Sequence, residues 1–360
     1  MKAQCRECGV HRMVGKTHRW EDGCIVDRSA GTANLIVYEV SAANSWMEEL
    51  GRIMGMPLDR LVFNAATSAA EGVVRDSIQS HPALFRLAST PPLHRIVYAM
   101  SAQLMEGIGA GRIELLAQKG GQGRRETRLR VSHPFNPRLV SSLVAGFVRA
   151  FYGLPVTCHT REEGGAFIVE IRQDPAGAGE GVYHRLAPAR LVPARGHAPV
   201  ALPACGRCGA PRGIGDLFVW DPQRGMIAER AGGQRVIFAS LYLFDSMIRE
   251  VHAELGEPAL EVFQEVERRL FARKLASAPA GGDPWEEEGL RGDLALRGLG
   301  LLRKLEADGE GARIVVDNVF VAPIVAGRLL ALWEYRYGRE AECEYSITGN
   351  TLDLSIHPAA

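Results

Sequence analysis

The chain has 360 residues, 46% hydrophobic and 23% charged, enough apolar material for two cores of ordinary size. Its 42 basic and 42 acidic residues cancel, which excludes the broad basic footprint of a nucleic-acid or anionic-membrane binder. No leader-like segment opens the chain and no apolar run reaches about 18 residues, so a cytoplasmic protein without a membrane span is expected.

The first motif is the knuckle Cys5-Arg-Glu-Cys8-Gly9. In a reducing compartment, Cys-x-x-Cys-Gly reads as half of a metal site rather than as part of a disulfide framework. After Trp20, a Gly-containing turn separates two strands, the second holding the apolar run Leu35-Ile-Val-Tyr38. Trp46, Leu50, Ile53 and Met54 then fall at helical spacing, with Ser45 and Glu48 as a capping box, and the helix breaks before Pro57. A second helical stretch contains Phe63. Gly107-Ile-Gly109 precedes the strand Arg112–Leu116, followed by a strand over Arg128–Val131, an apolar helix over Leu139–Phe151 and an alternating strand over Ala166–Ile171. Residues 174–203 are rich in Ala, Gly and Pro and read as a linker.

The same order then returns. Cys205-Gly-Arg-Cys208-Gly209 repeats the knuckle 200 positions on, and Arg12/Arg212, Gly15/Gly215 and Trp20/Trp220 stay in register. Val236-Ile-Phe238 matches the first apolar strand, and Phe244, Met247, Ile248, Val251 and Leu255 match the first helix, which breaks before Pro258 ahead of Phe263. Gly298-Leu-Gly300 is read as the counterpart of Gly107-Ile-Gly109, and Leu301–Leu305 and Arg313–Val316 as counterpart strands. A constant offset then places His133 on Asn318, Phe135 on Phe320, Tyr152 on Tyr337 and Cys158 on Cys343. A flexible insertion, Ala276–Asp293, carries Trp285-Glu-Glu-Glu288 as a solvated tip. The expected class is α+β, with homologous halves at 1–173 and 204–360 around the linker. Each half is an antiparallel sheet packed with helices and preceded by its knuckle, and the two form an intramolecular pseudo-two-fold dimer.

A tetrahedral all-thiolate site needs four ligands, and each knuckle supplies two. Cys5, Cys8, Cys205 and Cys208 are the expected set, holding one structural zinc; an iron–sulfur cluster on the same thiolates is the lesser alternative. A competing set lies in the first half alone: Cys5, Cys8, Cys24 and either His11 or His18. Gly9 to Thr17 is rejected as a phosphate loop, because five residues separate its glycines where that loop needs four. No Gly-x-Ser-x-Gly, His-Glu-x-x-His or Gly-x-Gly-x-x-Gly motif is present, so no catalytic residue is assigned. The basic run Arg124, Arg125, Arg128, Arg130 reads as a solvated strand face or loop, with contact to an anion or acidic partner as the alternative, and Cys158 and Cys343 read as buried inert thiols, with lining of a ligand pocket as the alternative. The aromatics Phe147, Phe151, Tyr152 and Trp333, Tyr335, Tyr337 read as core at the ends of the long helices.

The later block of each half resembles the 4-vinyl-reductase-like domain, a family related in fold to heme-nitric-oxide-binding sensors and to small subunits of the TRAPP tethering complex. The resemblance rests on Gly107-Ile-Gly-Ala-Gly-Arg-Ile-Glu-Leu-Leu116 and His133-Pro-Phe-Asn-Pro137, and on Val316–Pro323, Gly327–Glu334 and Tyr337-Gly-Arg-Glu340. It implies small-molecule binding or dimer building rather than catalysis. It carries over neither a heme ligand nor the family's own zinc site, since only Cys158 and Cys343 stand in that region. The function expected is therefore a non-enzymatic, zinc-stabilised scaffold or small-molecule-binding or assembly protein. The alternatives are a sensor for an aromatic or tetrapyrrole-like molecule, and a redox or tetrapyrrole-pathway accessory with a four-cysteine iron site. The expected partner is a hydrophobic small molecule or another protein, with no nucleic acid.

Overall fold

The structure, a computed structural model, describes residues 3–55, 57–80, 94–121, 124–152, 155–173, 190–195, 200–256, 258–277 and 285–359. Elements follow one another as α1 (Arg12–Thr17), β1 (His18–Glu21), β2 (Cys24–Asp27), β3 (Ala33–Glu39), α2 (Val40–Met54), α3 (Asp59–Ser80), α4 (His94–Gly107), β4 (Arg112–Gly121), β5 (Arg124–Ser132), α5 (Pro137–Tyr152), β6 (Val156–Glu163) and β7 (Ala166–Gln173). The same order recurs as α6 (Arg212–Leu217), β8 (Phe218–Asp221), β9 (Met226–Glu229), β10 (Arg235–Ser240), α7 (Leu241–Leu255), α8 (Pro258–Ser277), α9 (Glu287–Arg297), β11 (Leu301–Asp308), β12 (Gly311–Asp317), α10 (Ala322–Tyr337), β13 (Ala341–Thr348) and β14 (Thr351–Pro358). The class is α+β, with every described strand pair antiparallel.

Two four-stranded sheets have the same strand order, β4-β5-β7-β6 and β11-β12-β14-β13. Between them a six-stranded sheet, β1-β2-β3-β10-β9-β8, draws three strands from each half. Its central register is reciprocal. Val37 faces Phe238, while Ile36 faces Ala239 and Tyr38 faces Ile237. Counting outward from Val37 and Phe238 therefore equates Tyr38 with Ala239 and Glu39 with Ser240. Alternation along β3 explains its unbroken burial. Leu35 and Val37 join the knuckle side of the sheet, while Ile36 and Tyr38 join the core under the long helices.

The halves are entwined rather than apposed. α3 packs on α5 and on α7 of the other half, while α8 packs on α10 and on α2. Trp20 donates its indole N–H to the Leu296 carbonyl (3.0 Å), and Trp220 donates to the Gly107 carbonyl (2.8 Å). The Gly300 N–H bonds to the Gly23 carbonyl and the Gly111 N–H to the Gly225 carbonyl, both at 3.0 Å. A side chain at Gly23 or Gly225 would strike the opposing backbone at 2.3 or 2.5 Å, so these turns must be glycine.

Several local expectations are corrected. α2 starts at Val40 directly after β3, which puts Ser45 and Glu48 inside the helix and leaves no capping box. The Glu39 carboxylate at the cap position is engaged elsewhere, by Arg328. Gly109 and Gly111, not Gly107 and Gly109, correspond to Gly298 and Gly300. Both pairs have positive φ, and the turn bonds Gly109 N–H to Glu106 and Gly298 N–H to Ala295 repeat at this spacing. Trp285 is buried rather than a solvated tip, and the glutamates after it open α9. The end of the expected linker is fixed to the body, with the Leu191 carbonyl accepting from the Ala33 N–H (2.7 Å) and both backbone groups of Ala194 bonded to the Asn318 amide (2.8 Å each). Residues 174–189 and 196–199 of that linker lie outside the described residues. No described helix is long and apolar enough to cross a membrane.

Candidate metal centre and apolar cavity

Each knuckle is a tight turn. The Cys5 carbonyl accepts from the Gly9 N–H (3.0 Å) and the Cys205 carbonyl from the Gly209 N–H (2.9 Å), which requires the positive φ that both glycines adopt, 75° and 79°. The turns bring four thiols together. Cys5 and Cys205 Sγ lie 3.8 Å apart, Cys8 and Cys208 Sγ 3.4 Å, and all four fall within 4.8 Å of one another. A disulfide needs about 2.05 Å. A regular tetrahedron with metal–sulfur bonds of about 2.3 Å has edges of about 3.8 Å, which the cluster matches. The four cysteines can therefore bind one metal ion between the halves.

The electrostatics agree. Burial raises the Cys5 thiol, but the backbone N–H groups of Cys8 and Glu7 outweigh it and bring the pKa down to about 7. Burial pushes Cys8 and Cys208 up, against the Val10 and Ala210 N–H groups, and the crowded sulfurs oppose a second ionisation. A cation among the sulfurs removes that conflict. The packing is again reciprocal. Gly15 of α1 lies on Cys208, where a Cβ would sit 2.9 Å from the carbonyl oxygen, and Gly215 of α6 lies on Cys8, where it would sit at 2.0 Å. Each knuckle is thus seated on the first helix of the other half.

The competing ligand set does not assemble. The buried Cys24 sulfur lies 3.8 Å from the Asn318 carbonyl, outside the cluster. His11 packs its ring against Gly107. Thr17 Oγ1 donates to the Met13 carbonyl, so it accepts from His18 Nδ1 (2.8 Å), and His18 Nε2 accepts from the Asn34 amide (3.4 Å). His18 is consequently the neutral Nδ1–H tautomer, and burial holds its pKa down at about 4.

A cavity of about 510 Å³ lies in the first lobe, between α2–α5, the sheet β4–β5, and β10 and α7 of the other half. Its walls are hydrocarbon and aromatic, with Trp46, Tyr98, Phe135, Phe147, Phe151 and Phe244 among them. No described residue on its wall carries a formal charge. At one side Met13, Thr17 and His18 reach it from the α1 segment that also holds Gly15 against Cys208.

The corresponding place in the second lobe is occupied by ions, with a smaller pocket of about 190 Å³ beside Glu39, Glu267 and Lys274. Arg328 on α10 bonds Glu39 and Glu267, both at 2.6 Å, and lies over the rings of Tyr38 and Phe271 at 4.9 Å each. Tyr38 donates its hydroxyl to Glu267, and Lys274 bonds Glu39 and Glu229. Arg297 also meets Glu229 (3.0 Å) and Asp293 (2.8 Å). Burial alone would raise the Glu39 carboxyl, but Arg328, Lys274 and Arg297 hold it well below the usual carboxylate range. Burial pushes Glu267 up, against the pull of Arg328. The first lobe has Ala239 and Ser240 where the second has Tyr38 and Glu39. At the offset of 185 that pairs His133 with Asn318, both in left-handed backbone, Leu143 takes the place of Arg328.

Other singled-out residues divide. Phe147 and Phe151 line the cavity, whereas Trp333 is core and Tyr335 is exposed. The Tyr152, Arg124 and Arg125 side chains lie outside the described residues. Arg128 pairs with Glu170 and Glu163 across the sheet, as expected of a strand face. Burial raises the Cys158 and Cys343 thiols to about 11 and 12, and neither lines the cavity. His133 offers its carbonyl to Arg235 (2.6 Å). No protein-family model matches the chain, and no curated protein is similar to it.

Proposed function

We propose that this chain is a non-enzymatic binding protein: two homologous halves of the 4-vinyl-reductase-like kind form an internal pseudo-dimer, clamped by one structural zinc on Cys5, Cys8, Cys205 and Cys208, and the first lobe holds an apolar small molecule. The observation that carries the binding role is the first-lobe cavity, whose counterpart in the second lobe is occupied by Arg328 and its carboxylates. Its volume falls within the range of small-molecule sites, about 300–1,000 Å³. Among the described residues on the cavity wall, the one imidazole, His18, is engaged at both nitrogens, by Thr17 at Nδ1 and Asn34 at Nε2, and is not free to serve as a base.

The test has two parts. Elemental analysis of the native protein should find one zinc per chain and no visible absorption; iron with visible bands would replace the clamp by a redox centre. A thermal-shift screen of hydrophobic compounds should give saturable stabilisation. A flat screen, repeated after denaturing extraction of any copurified compound, would remove the binding role.

A further inference from the structure

We infer that the occupant of the first-lobe cavity is an uncharged, largely aromatic or hydrocarbon molecule with one hydrogen-bonding group, and that this group meets Ser240. The inference rests on the cavity being a binding site, as proposed above. Its first support is the lack of any formal charge on the described wall. A charge drawn against that wall loses hydration and gains no partner, which is costly. The second lobe shows what this scaffold supplies when it does bury charge: Glu39 and Glu267 are answered by Arg328 at 2.6 Å. The first lobe has Leu143 at the guanidinium's position and Ser240 at that of Glu39. A carboxylate-bearing ligand, including a tetrapyrrole with its acid side chains, would find no counter-charge there.

The polar groups on the wall point to the second half of the inference. Thr17, His18 and Asn34 satisfy one another in a closed neutral chain, and the Tyr98 hydroxyl bonds Thr127 (3.3 Å). The Ser240 hydroxyl is buried and has no hydrogen-bond partner among the described residues. A buried hydroxyl without a partner is costly, and a ligand donor or acceptor would relieve it. The ring-bearing walls suit a flat aromatic body, and Met47, Met105 and Met247 can adjust around it.

The test uses two dyes with one skeleton, neutral N-phenyl-1-naphthylamine and its sulfonate, 1-anilinonaphthalene-8-sulfonate, titrated into the full-length, metal-loaded chain. The neutral dye should bind once per chain and at least tenfold more tightly. Equal or tighter binding of the sulfonate would overturn the charge assignment while leaving the cavity a binding site; binding of neither would overturn both. Ala239→Phe and Met247→Trp place a ring at second-half positions whose first-half equivalents, Tyr38 and Trp46, already carry one. Either should abolish dye binding with an unchanged or raised Tm, and retained affinity in both would place the dye elsewhere. Finally, 2-naphthol should bind several-fold more tightly than naphthalene in the native chain, and Ser240→Ala should erase that preference. A preference that survives Ser240→Ala, or is absent from the native chain, would remove Ser240 from the site.

Discussion

In the second lobe, Arg328, Glu39, Glu267 and Tyr38 occupy the space between α8, α10 and the shared sheet and leave a pocket of about 190 Å³, whereas in the first lobe Leu143, Ser240 and Ala239 stand at three of those positions and a cavity of about 510 Å³ remains. The backbone plan is the same, down to the strand order of the two outer sheets. The difference shows how one scaffold can separate two demands. A buried ion network ties β3 of the first half to α8 and α10 of the second, and it holds only while every charge keeps its partner. An apolar wall with missing volume forgoes packing energy and keeps room for a guest. Because β3 and β10 run side by side through the middle, each half contributes its strand to the other lobe's interior.

The comparison breaks most completely at the point the lobes share. On the proposed zinc clamp, Cys5→Ser and Cys205→Ser should each lose the metal and destabilise both lobes together, by about 5 kcal/mol or more, because structural zinc binding contributes about 10–16 kcal/mol to folding. Denaturant melts followed by probes in each lobe would show it. One lobe melting alone, or unequal losses, would mean the ligands are not shared.

Next in size is the ion network. Arg328→Leu installs the first lobe's residue and strands Glu267, while Glu39 keeps Lys274 and Arg297, so a loss of about 3 kcal/mol or more is expected. Leu143→Ala, on the wall of an existing cavity, should fall near or below the low end of the usual 2–5 kcal/mol, since the site is already underpacked. If both cost the same by urea unfolding, the contrast between the lobes has no energetic content.

His18 supplies a third test. Its pKa lies at about 4, below the ordinary value of 6.5, because burial disfavours the imidazolium. The fold thus binds this proton more weakly than the unfolded chain does. Its contribution is intact above pH 6.5 and is lost progressively as pH falls toward 4, by about 2 kcal/mol between pH 7 and pH 5. The repeat partner is Phe218, so His18→Phe should flatten that part of the stability–pH curve. An unchanged slope in the variant would assign the acid sensitivity to other groups.

The smallest effect concerns the glycines under the knuckles. Gly215→Ala should cost more than Gly15→Ala, within about 1–3 kcal/mol, because its methyl would meet the Cys8 carbonyl at 2.0 Å against 2.9 Å at Cys208. The reverse ranking in paired Tm measurements would contradict the seating of α6 on the first knuckle.

Much of the plan was legible because repetition is a sequence property. The 200-residue offset set the knuckles, Trp20 and Trp220, and Gly15 and Gly215 in correspondence, and the structure gives these pairs matching contacts. Local errors arose where a signal had two explanations. Gly107 and Gly109 match Gly298 and Gly300 as letters, but only φ angles and turn bonds show that the true pairs lie two residues on. Ser45 and Glu48 have capping-box spacing, yet β3 runs into α2 without a loop. Trp285 stands in a run of glutamates and is nonetheless buried.

By itself the sequence determined the α+β class, the doubling of the plan and the four thiols that could bind a metal, because periodicity, turn residues and ligand chemistry are local. Only the tertiary structure decided that the halves interlock, that β3 and β10 pair at Val37 and Phe238, and that one lobe carries a buried ion network where the other keeps an apolar cavity of about 510 Å³. The physical reason is distance along the chain. Glu39 and Arg328 are 289 residues apart, the cavity wall joins segments from Met13 to Met247, and no local pattern records whether such groups will meet or leave a gap.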